Sequence, residues 1–141
     1  MSREKHTNTT IPGCGFHHVA IRTSNWDASQ KFYTEGLGFS PKVNWGEAPS
    51  RAVLLDTGDG NYLEIFEREP LENAGEANIL HFCFRVDDCD AATQRAREAG
   101  AEVTLEPKEP EPFAKLGLKT RIAFIKGPDG EICEFFESND L

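Results

Sequence analysis

The stretch HVAIRTSNWDA, residues 18–28, is decisive for the fold because its pattern returns as HFCFRVDDCDA at residues 81–91. In both copies, alternating residues typical of a β-strand are followed by residues typical of a helix start. The shared residues His18, Arg22, Asp27 and Ala28 recur 63 residues later as His81, Arg85, Asp90 and Ala91. A strand and helix that recur at a fixed spacing predict two copies of one supersecondary unit.

The repeat continues in two later strands, NYLEIFE at residues 61–67 and EICEFFE at residues 131–137. The shared residues Asp59, Gly60, Glu64, Phe66 and Glu67 recur 70 residues later as Asp129, Gly130, Glu134, Phe136 and Glu137. Further strands are predicted at residues 39–45, 51–57, 101–107 and 120–126, with a proline-bearing loop at 108–119. The prediction is an α+β fold with an N-terminal tail (1–15), a first βαβββ module (16–70) and a second (78–138), which share one domain.

Each predicted helix has a start signal, an apolar face and a glycine at its end. The first is capped by Ser24 or Asn25, places Ala28 and Phe32 at helical spacing, and ends at Gly36. The second is capped by Asp87 or Asp88 and ends at Gly100. Its apolar face is predicted to consist of Cys89, Ala92, Ala96 and Ala99.

Composition restricts the class of protein. The chain has 141 residues, 38% of them hydrophobic, and a formal net charge of −9, so nucleic acids and anionic membranes are repelled on average. No apolar run is long enough to span a membrane, and the N-terminus is not typical of a secretory signal, so we predict a cytoplasmic protein. The four cysteines form no CxxC pair and are predicted to be reduced, buried thiols.

Four polar residues of the repeat are predicted to share one face of the sheet. Strand alternation places His18 and His81 opposite apolar residues, and places Glu64 and Glu134 in corresponding positions. Carboxylates inside a fold are costly unless they are paired, protonated or bound to a cation. Two imidazoles and two carboxylates that converge suit one divalent Zn, Ni, Co, Mn or Fe ion. His17 is the competing histidine, but alternation places it on the opposite face.

Two arginines share this face. Arg22 and Arg85 each lie four residues after a repeat histidine, about 13 Å along a strand. They are therefore too distant to bind the metal but are placed to bind the far end of an anionic substrate, unless they form structural ion pairs. Asp27 and Asp90 lie in the first turns of the helices, where their negative charge interacts favourably with the helix dipole.

The sequence resembles the vicinal oxygen chelate superfamily, which includes glyoxalase I, methylmalonyl-CoA epimerase, extradiol dioxygenases, and fosfomycin- and bleomycin-resistance proteins. The resemblance covers residues 16–137. It rests on HVAIRTSNWDASQKFY with LGF, on YLEIFE, on LHFCFRVDDCDAA, and most specifically on GPDGEICEFFE. It implies two βαβββ modules that form a curled mixed sheet around a metal cleft.

The set His18, Glu64, His81 and Glu134 falls on the four metal positions and is similar to that of small bacterial glyoxalase I. The resemblance implies one nickel or zinc ion, a homodimer, and proton transfer through a metal-bound enediolate. Glu134 occupies the position of the base, and Glu64, its pseudo-symmetric partner, shares the catalytic role. Arg22 matches an arginine that binds glutathione, whereas Arg68 replaces an asparagine that usually contacts glutathione.

The predicted function is therefore a metal-dependent lyase or isomerase that acts on a small α-hydroxycarbonyl compound or hemithioacetal. One alternative is an epimerase of an acyl thioester with the same metal chemistry. Another is a non-catalytic protein that sequesters a drug or metabolite, although binding proteins of this superfamily that bind bleomycin lack the metal ligands. Dioxygenases and fosfomycin thiol transferases use three protein ligands, so a fourth ligand disfavours them.

Overall fold

The computed structural model describes residues 7–70, 79–127, 130 and 132–141. The chain divides into two compact units. The first unit is His18–His81, and the second consists of Met1–His17 together with Phe82–Leu141. Among the described residues, no helix is long and apolar enough to cross a membrane.

The order of the elements confirms the prediction of an α+β fold in which a βαβββ pattern occurs twice. The strands are β1 (Gly15–Thr23), β2 (Ser40–Trp45), β3 (Ala52–Asp56), β4 (Tyr62–Glu67), β5 (Ile79–Arg85), β6 (Glu102–Lys108), β7 (Thr120–Lys126) and β8 (Ile132–Ser138). The helices are α1 (Trp26–Lys31), which continues as a π-helical turn (Phe32–Gly36), α2 (Cys89–Glu98) and α3 (Glu111–Lys115).

In the first unit the strand order is β2-β3-β4-β1, and only the β4–β1 pair is parallel. This pairing aligns residues of different strands in rows across the sheet. One row consists of Val43, Leu54, Glu64 and Ala20, and the next consists of Trp45, Ala52, Phe66 and Arg22. We call the surface that carries these two rows the site face, and the opposite surface the helix face.

The helix face of the first unit is its hydrophobic core, formed by Val53, Leu55 and Ile65. Trp26 and Tyr33 of the helical segment pack against it. Ala28 and Phe32, which the sequence places at helical spacing, are both exposed. The packing residues Trp26 and Tyr33 are seven positions apart, which also places them on one face of a helix. The segment ends in a π-helical turn, in which the Leu37 N–H donates to the Phe32 carbonyl at 3.0 Å.

The C-terminal glycine of this segment also differs from the prediction. Gly38, not Gly36, has the left-handed backbone, with φ of +78°. The π-helical turn adds a residue to the last turn, so the chain reverses later than a regular α-helix would allow.

The second unit has the strand order β5-β8-β7-β6, with only β5 and β8 parallel. Its core confirms most of the predicted face of α2, since Cys89, Ala92 and Ala96 are buried against the sheet. Ala99 is exposed because it is the helix C-cap. Asp88 is the N-cap and accepts a hydrogen bond from the Ala91 N–H at 2.9 Å. The four cysteines are free thiols: Cys83, Cys89 and Cys133 are buried and Cys14 is partly buried, so the prediction of buried thiols holds for three of them.

The segment predicted as a proline-bearing loop contains a short helix, α3. Pro112 lies in its first turn, where the missing N–H is not needed. Phe113 of α3 is buried and contacts Phe136 of β8 edge to face, with ring centroids 5.9 Å apart. The tertiary contact of one aromatic side chain therefore stabilises a helix too short to form alone.

One ion pair joins β4 to the chain that leads into β3. One edge of the Arg51 guanidinium donates to both carboxylate oxygens of Glu67, with Nε–Oε1 of 2.9 Å and Nη2–Oε2 of 2.8 Å, and the Arg51 backbone N–H also donates to Oε1 at 3.1 Å. The Arg51 guanidinium lies over the Trp26 ring, 5.1 Å from its centroid. These hydrogen bonds from Arg51 lower the pKa of Glu67 to about 2.

We predict that Glu67→Gln lowers the melting temperature at neutral pH. Because the folded-state pKa of Glu67 lies below its ordinary value of 4.5, its stabilising contribution is complete above pH 4.5 and is lost as pH falls toward 2. Thermal denaturation at several pH values should therefore show a difference in melting temperature between wild type and variant that becomes smaller in acid. Glu35→Gln, which changes an exposed glutamate on the helical segment, is the control. A difference in melting temperature between wild type and Glu67→Gln that does not depend on pH would contradict the prediction.

Candidate metal centre

Three of the four predicted ligands meet inside the first unit. His18 on β1, Glu64 on β4 and His81 at the start of β5 direct their side chains toward one point. The two Nε2 atoms are 3.1 Å apart, and Oε1 of Glu64 lies 3.4 Å from each of them. His18 is 2% exposed and Glu64 is 4% exposed. The sequence prediction that these residues converge is correct for this triad.

The strand pairing explains why the triad forms. Glu64 is aligned with Ala20 on the parallel strand β1, so His18 precedes that row by one pleat on the same face. Ala20 and Leu54 lie beside Glu64 in its row, and both are fully buried. The carboxylate therefore has apolar neighbours on both sides within its row and faces the two imidazoles.

The charge of Glu64 depends on those imidazoles. Burial raises the pKa of Glu64, but attraction and hydrogen bonding from His18 and His81 outweigh burial and lower it to about 2. Glu64 is accordingly a carboxylate at neutral pH. At a separation of 3.1 Å, the two Nε2 atoms have room for only one proton between them. At least one imidazole thus directs a lone pair into the site.

The triad fits a divalent metal ion in both spacing and chemistry. Ligand atoms about 2.1 Å from a tetrahedral zinc ion are about 3.4 Å from each other, which agrees with the 3.1–3.4 Å separations in the triad. Nitrogen and carboxylate oxygen are ligands suited to Zn, Ni, Co, Mn and Fe. One cation would also compensate the buried carboxylate more fully than a shared imidazole proton.

Glu134 and Arg85 belong to the second unit. Glu134 is 4% exposed on β8 and is aligned with Cys83 on one neighbouring strand and Phe124 on the other. Arg85 is partly buried at the end of β5. The assignment of Glu134 as the fourth ligand and of Arg85 as a substrate-binding residue remains a prediction.

His17 is the histidine that the sequence analysis named as the competing ligand. Its ring stacks on Phe136, with centroids 4.1 Å apart, and Phe136 lies on the same face of β8 as Glu134. The preceding Phe16 contacts Phe84, whose ring packs on the core under α2. The burial of His17 is explained by this aromatic stack, and its exclusion as a metal ligand remains a prediction.

Arg22 and Arg68, predicted to bind substrate, flank one aromatic ring on the site face. Arg22 is aligned with Phe66, and the Arg68 guanidinium lies 4.8 Å from the Phe66 ring centroid. Trp45 contacts the same ring edge to face, at 5.9 Å. The sequence analysis did not identify the two aromatic residues. Phe66 could have been found from its spacing to Glu64, but Trp45 could be placed only through the pairing of β2 with β3.

We predict that the protein binds about one divalent ion per chain. His18→Ala or His81→Ala should weaken metal binding more than about 100-fold, because mutation of residues that only contact metal ligands already lowers metal affinity by about 10–100-fold. Calorimetric titration with Zn²⁺ and Ni²⁺, with elemental analysis of the desalted protein, measures this. His17→Phe is the matched control, since it preserves an aromatic stack on Phe136 but removes the ring nitrogens. Loss of the metal in this variant alone would identify His17 as the ligand instead.

Comparison with known proteins agrees with the fold. The chain is 31% identical over 127 residues to a probable lactoylglutathione lyase of Vibrio cholerae, a match that covers 86% of this chain and 88% of that protein. The structure of methylmalonyl-CoA epimerase from Mycobacterium tuberculosis superimposes with a TM-score of 0.68 at 22% identity, and the match covers 98% of this chain and 93% of that chain. The structure of a Streptomyces coelicolor methylmalonyl-CoA epimerase in complex with 2-nitronate-propionyl-CoA superimposes with a TM-score of 0.65 at 25% identity. This match covers 88% of this chain and 96% of that chain.

The family assignment follows from the extent of the sequence match. A single family model matches residues 15–135, which include every strand from β1 to β7 and most of β8. The matched region also contains all of the residues predicted to bind the metal. The chain belongs to the Glyoxalase/Bleomycin resistance protein/Dioxygenase superfamily.

Proposed function

We propose that this protein is a metal-dependent lyase or isomerase of the glyoxalase I type, acting on a small α-hydroxycarbonyl compound or hemithioacetal. The observation that carries the proposal is the buried triad of His18, Glu64 and His81, whose ligand atoms are spaced for one metal ion. The similarity to a probable lactoylglutathione lyase over most of both chains supports the same assignment.

The proposed ligand set is the triad together with Glu134. Glu134 is the repeat counterpart of Glu64, and its side chain is equally buried. We propose zinc or nickel as the ion, with cobalt, manganese and iron as further candidates. When bound, such an ion polarises the adjacent oxygens of a substrate and acidifies the neighbouring C–H bond.

Glu134 is the proposed base. It takes the proton from the carbon that carries the hydroxyl group and returns it to the former carbonyl carbon, while the hydroxyl proton passes to the former carbonyl oxygen, so that one hydroxycarbonyl isomer becomes the other. Against the effect of burial, the two imidazoles hold the pKa of Glu64 low, so Glu64 contributes chiefly as an anionic ligand within the catalytic pair.

An epimerase of an acyl thioester is the second candidate. The similarity to methylmalonyl-CoA epimerase at 25% identity favours it, and proton removal beside a thioester carbonyl requires the same base and the same ion. A non-catalytic binding protein is less well supported, because sequestration of a drug does not require a carboxylate buried between two histidines.

Three further features of the proposal rest on composition and resemblance alone. We propose a cytoplasmic homodimer that takes a small-molecule substrate and binds neither nucleic acid nor membrane. The net charge of −9 supports the exclusion of polyanionic partners.

We predict that Glu134→Gln lowers kcat by about 100-fold or more, as expected for loss of a general base, and that the variant still binds metal. The metal-loaded proteins are assayed with methylglyoxal plus glutathione, methylglyoxal plus a neutral thiol, and methylmalonyl-CoA. Incorporation of solvent deuterium into each substrate reports proton removal independently of product release.

The outcomes of this panel separate the candidate functions. Turnover of the hemithioacetals supports the lyase, whereas exchange confined to methylmalonyl-CoA supports the epimerase. Full turnover by Glu134→Gln would remove Glu134 as the base. If metal-loaded wild type catalyses neither turnover nor exchange with any of these substrates, the enzymatic proposal fails for them. Glu35→Gln serves as a surface control.

A further inference from the structure

A tyrosine, Tyr62, lies beside the metal triad on the site face of the first unit. Tyr62 of β4 is aligned with His18 on the parallel strand β1, and it lies two residues before Glu64. Alternation along β4 therefore directs Tyr62 to the same face of the sheet as Glu64. Tyr62 is partly buried, whereas Glu64 is buried. Tyr62 thus neighbours two of the three triad residues, one across the strand pair and one along its own strand.

The strand pairing places the Tyr62 side chain alongside the His18 imidazole. Paired strands are about 4.8 Å apart, and side chains stand roughly perpendicular to a sheet. A tyrosine side chain is longer than a histidine side chain, so from a neighbouring position the phenol hydroxyl extends beyond the level of the imidazole. The hydroxyl of Tyr62 is therefore placed on the side of the triad that faces away from the sheet, where a substrate has access.

The other residues in the row of Tyr62 are turned elsewhere or lie far from the triad. Asp56 of β3 is aligned with Tyr62, and its Oδ1 accepts a hydrogen bond from the Gly58 N–H at 2.7 Å, so this carboxylate is held by the turn that follows β3. Ser40, the next residue of the row, is exposed on β2 at the edge of the sheet. Within this row, Tyr62 is the hydroxyl-bearing residue beside the triad.

The proposed isomerisation moves two protons, and only one of them has an assigned carrier. Glu134 is the proposed carrier of the proton on carbon, whereas the hydroxyl proton must also pass to the former carbonyl oxygen. Residues that bind a metal ion direct their lone pairs at the ion and are poorly suited to carry this second proton. A neutral hydroxyl group suits the task because it donates one hydrogen bond and accepts another.

From this arrangement we propose that Tyr62 is a further catalytic residue, whose hydroxyl bridges the two adjacent oxygens of the substrate. The inference rests on the proposed function and deepens it. The phenol O–H donates its proton to the former carbonyl oxygen while the phenol oxygen accepts the proton of the substrate hydroxyl. Two O–H bonds break and two form, so Tyr62 is regenerated and no further reactant is needed. An acyl thioester has no hydroxyl proton to move, so this role belongs to the isomerase and not to the epimerase.

Tyr62→Phe removes only the hydroxyl group, and the chain offers a matched control. It contains two tyrosines, and the other, Tyr33, packs on the helix-face core with its ring stacked on Phe39, centroids 6.0 Å apart. Tyr33→Phe should therefore behave like wild type. Calorimetric titration with Zn²⁺ should give the wild-type metal affinity in both variants. Loss of zinc affinity in Tyr62→Phe would show that Tyr62 only supports the metal centre, and would overturn the inference.

Binding of acetohydroxamate to the zinc-loaded proteins tests the contact without turnover, because a hydroxamate presents two adjacent oxygens. We expect Tyr62→Phe to weaken this binding about tenfold, as for the loss of one hydrogen bond, and Tyr33→Phe to leave it unchanged. Since Tyr33→Phe retains a single tyrosine, carbon-13 labelling of tyrosine gives one phenol-carbon resonance in its NMR spectrum. This resonance should shift when acetohydroxamate binds.

Turnover of the hemithioacetal of methylglyoxal and glutathione tests the proton transfer itself. Tyr62→Phe should lower kcat by about 100-fold, as expected for loss of a general acid–base group, and should lower kcat more than it raises KM. Removal of the proton on carbon does not require the phenol. Solvent deuterium should therefore accumulate in the recovered substrate, relative to the product formed, to a greater extent in Tyr62→Phe than in wild type or Tyr33→Phe.

The outcomes separate failure of this inference from failure of the proposed function. If wild type is an active lyase but Tyr62→Phe keeps the wild-type kcat or the wild-type affinity for acetohydroxamate, the role of Tyr62 is wrong while the proposed function stands. If wild type binds acetohydroxamate but converts no hemithioacetal, the proposed function fails and the proton transfer by Tyr62 fails with it. If wild type does not bind acetohydroxamate, the metal centre itself fails.

Discussion

The structure depends on one constrained interaction, the buried carboxylate of Glu64 facing the imidazoles of His18 and His81. An unpaired carboxylate in this position would cost several kcal/mol of desolvation. The histidines offset part of that cost, and the spacing of the three ligand atoms leaves room for a cation that would offset more. The fold of the first unit brings these three side chains together.

Strand register is the physical means by which this is achieved. Because side chains alternate along β4, a slip of one residue would bury Glu64 in the helix-face core and direct Leu63 or Ile65 into the site. The core of Val53, Leu55 and Ile65 opposes that slip, since each of these residues is fully buried beneath the helical segment. Packing on the apolar face thus sets the register that places Glu64 on the opposite face. The same strand therefore contributes to both the core and the candidate metal site.

Much of this could be predicted from the sequence, and the errors have identifiable causes. The repeat located the strands and the donor residues because alternation and turn signals are local properties of the chain. The sequence analysis noted Ala28 and Phe32 of the helical segment, whereas Trp26 and Tyr33 make its contact with the core. The helix α3 was missed because it is stabilised by the contact of its Phe113 with Phe136, a residue that is remote in sequence.

The sequence by itself determined the two βαβββ patterns and the histidines and glutamates they repeat, because each depends on residues that are close together in the chain. It did not place Trp45 beside Phe66, the Arg68 guanidinium over that ring, or both oxygens of Glu67 on Arg51. Those contacts were decided only by the tertiary structure. They depend on how β2, β3, β4 and β1 align, and that alignment is set by packing on the helix face between residues that are distant in sequence.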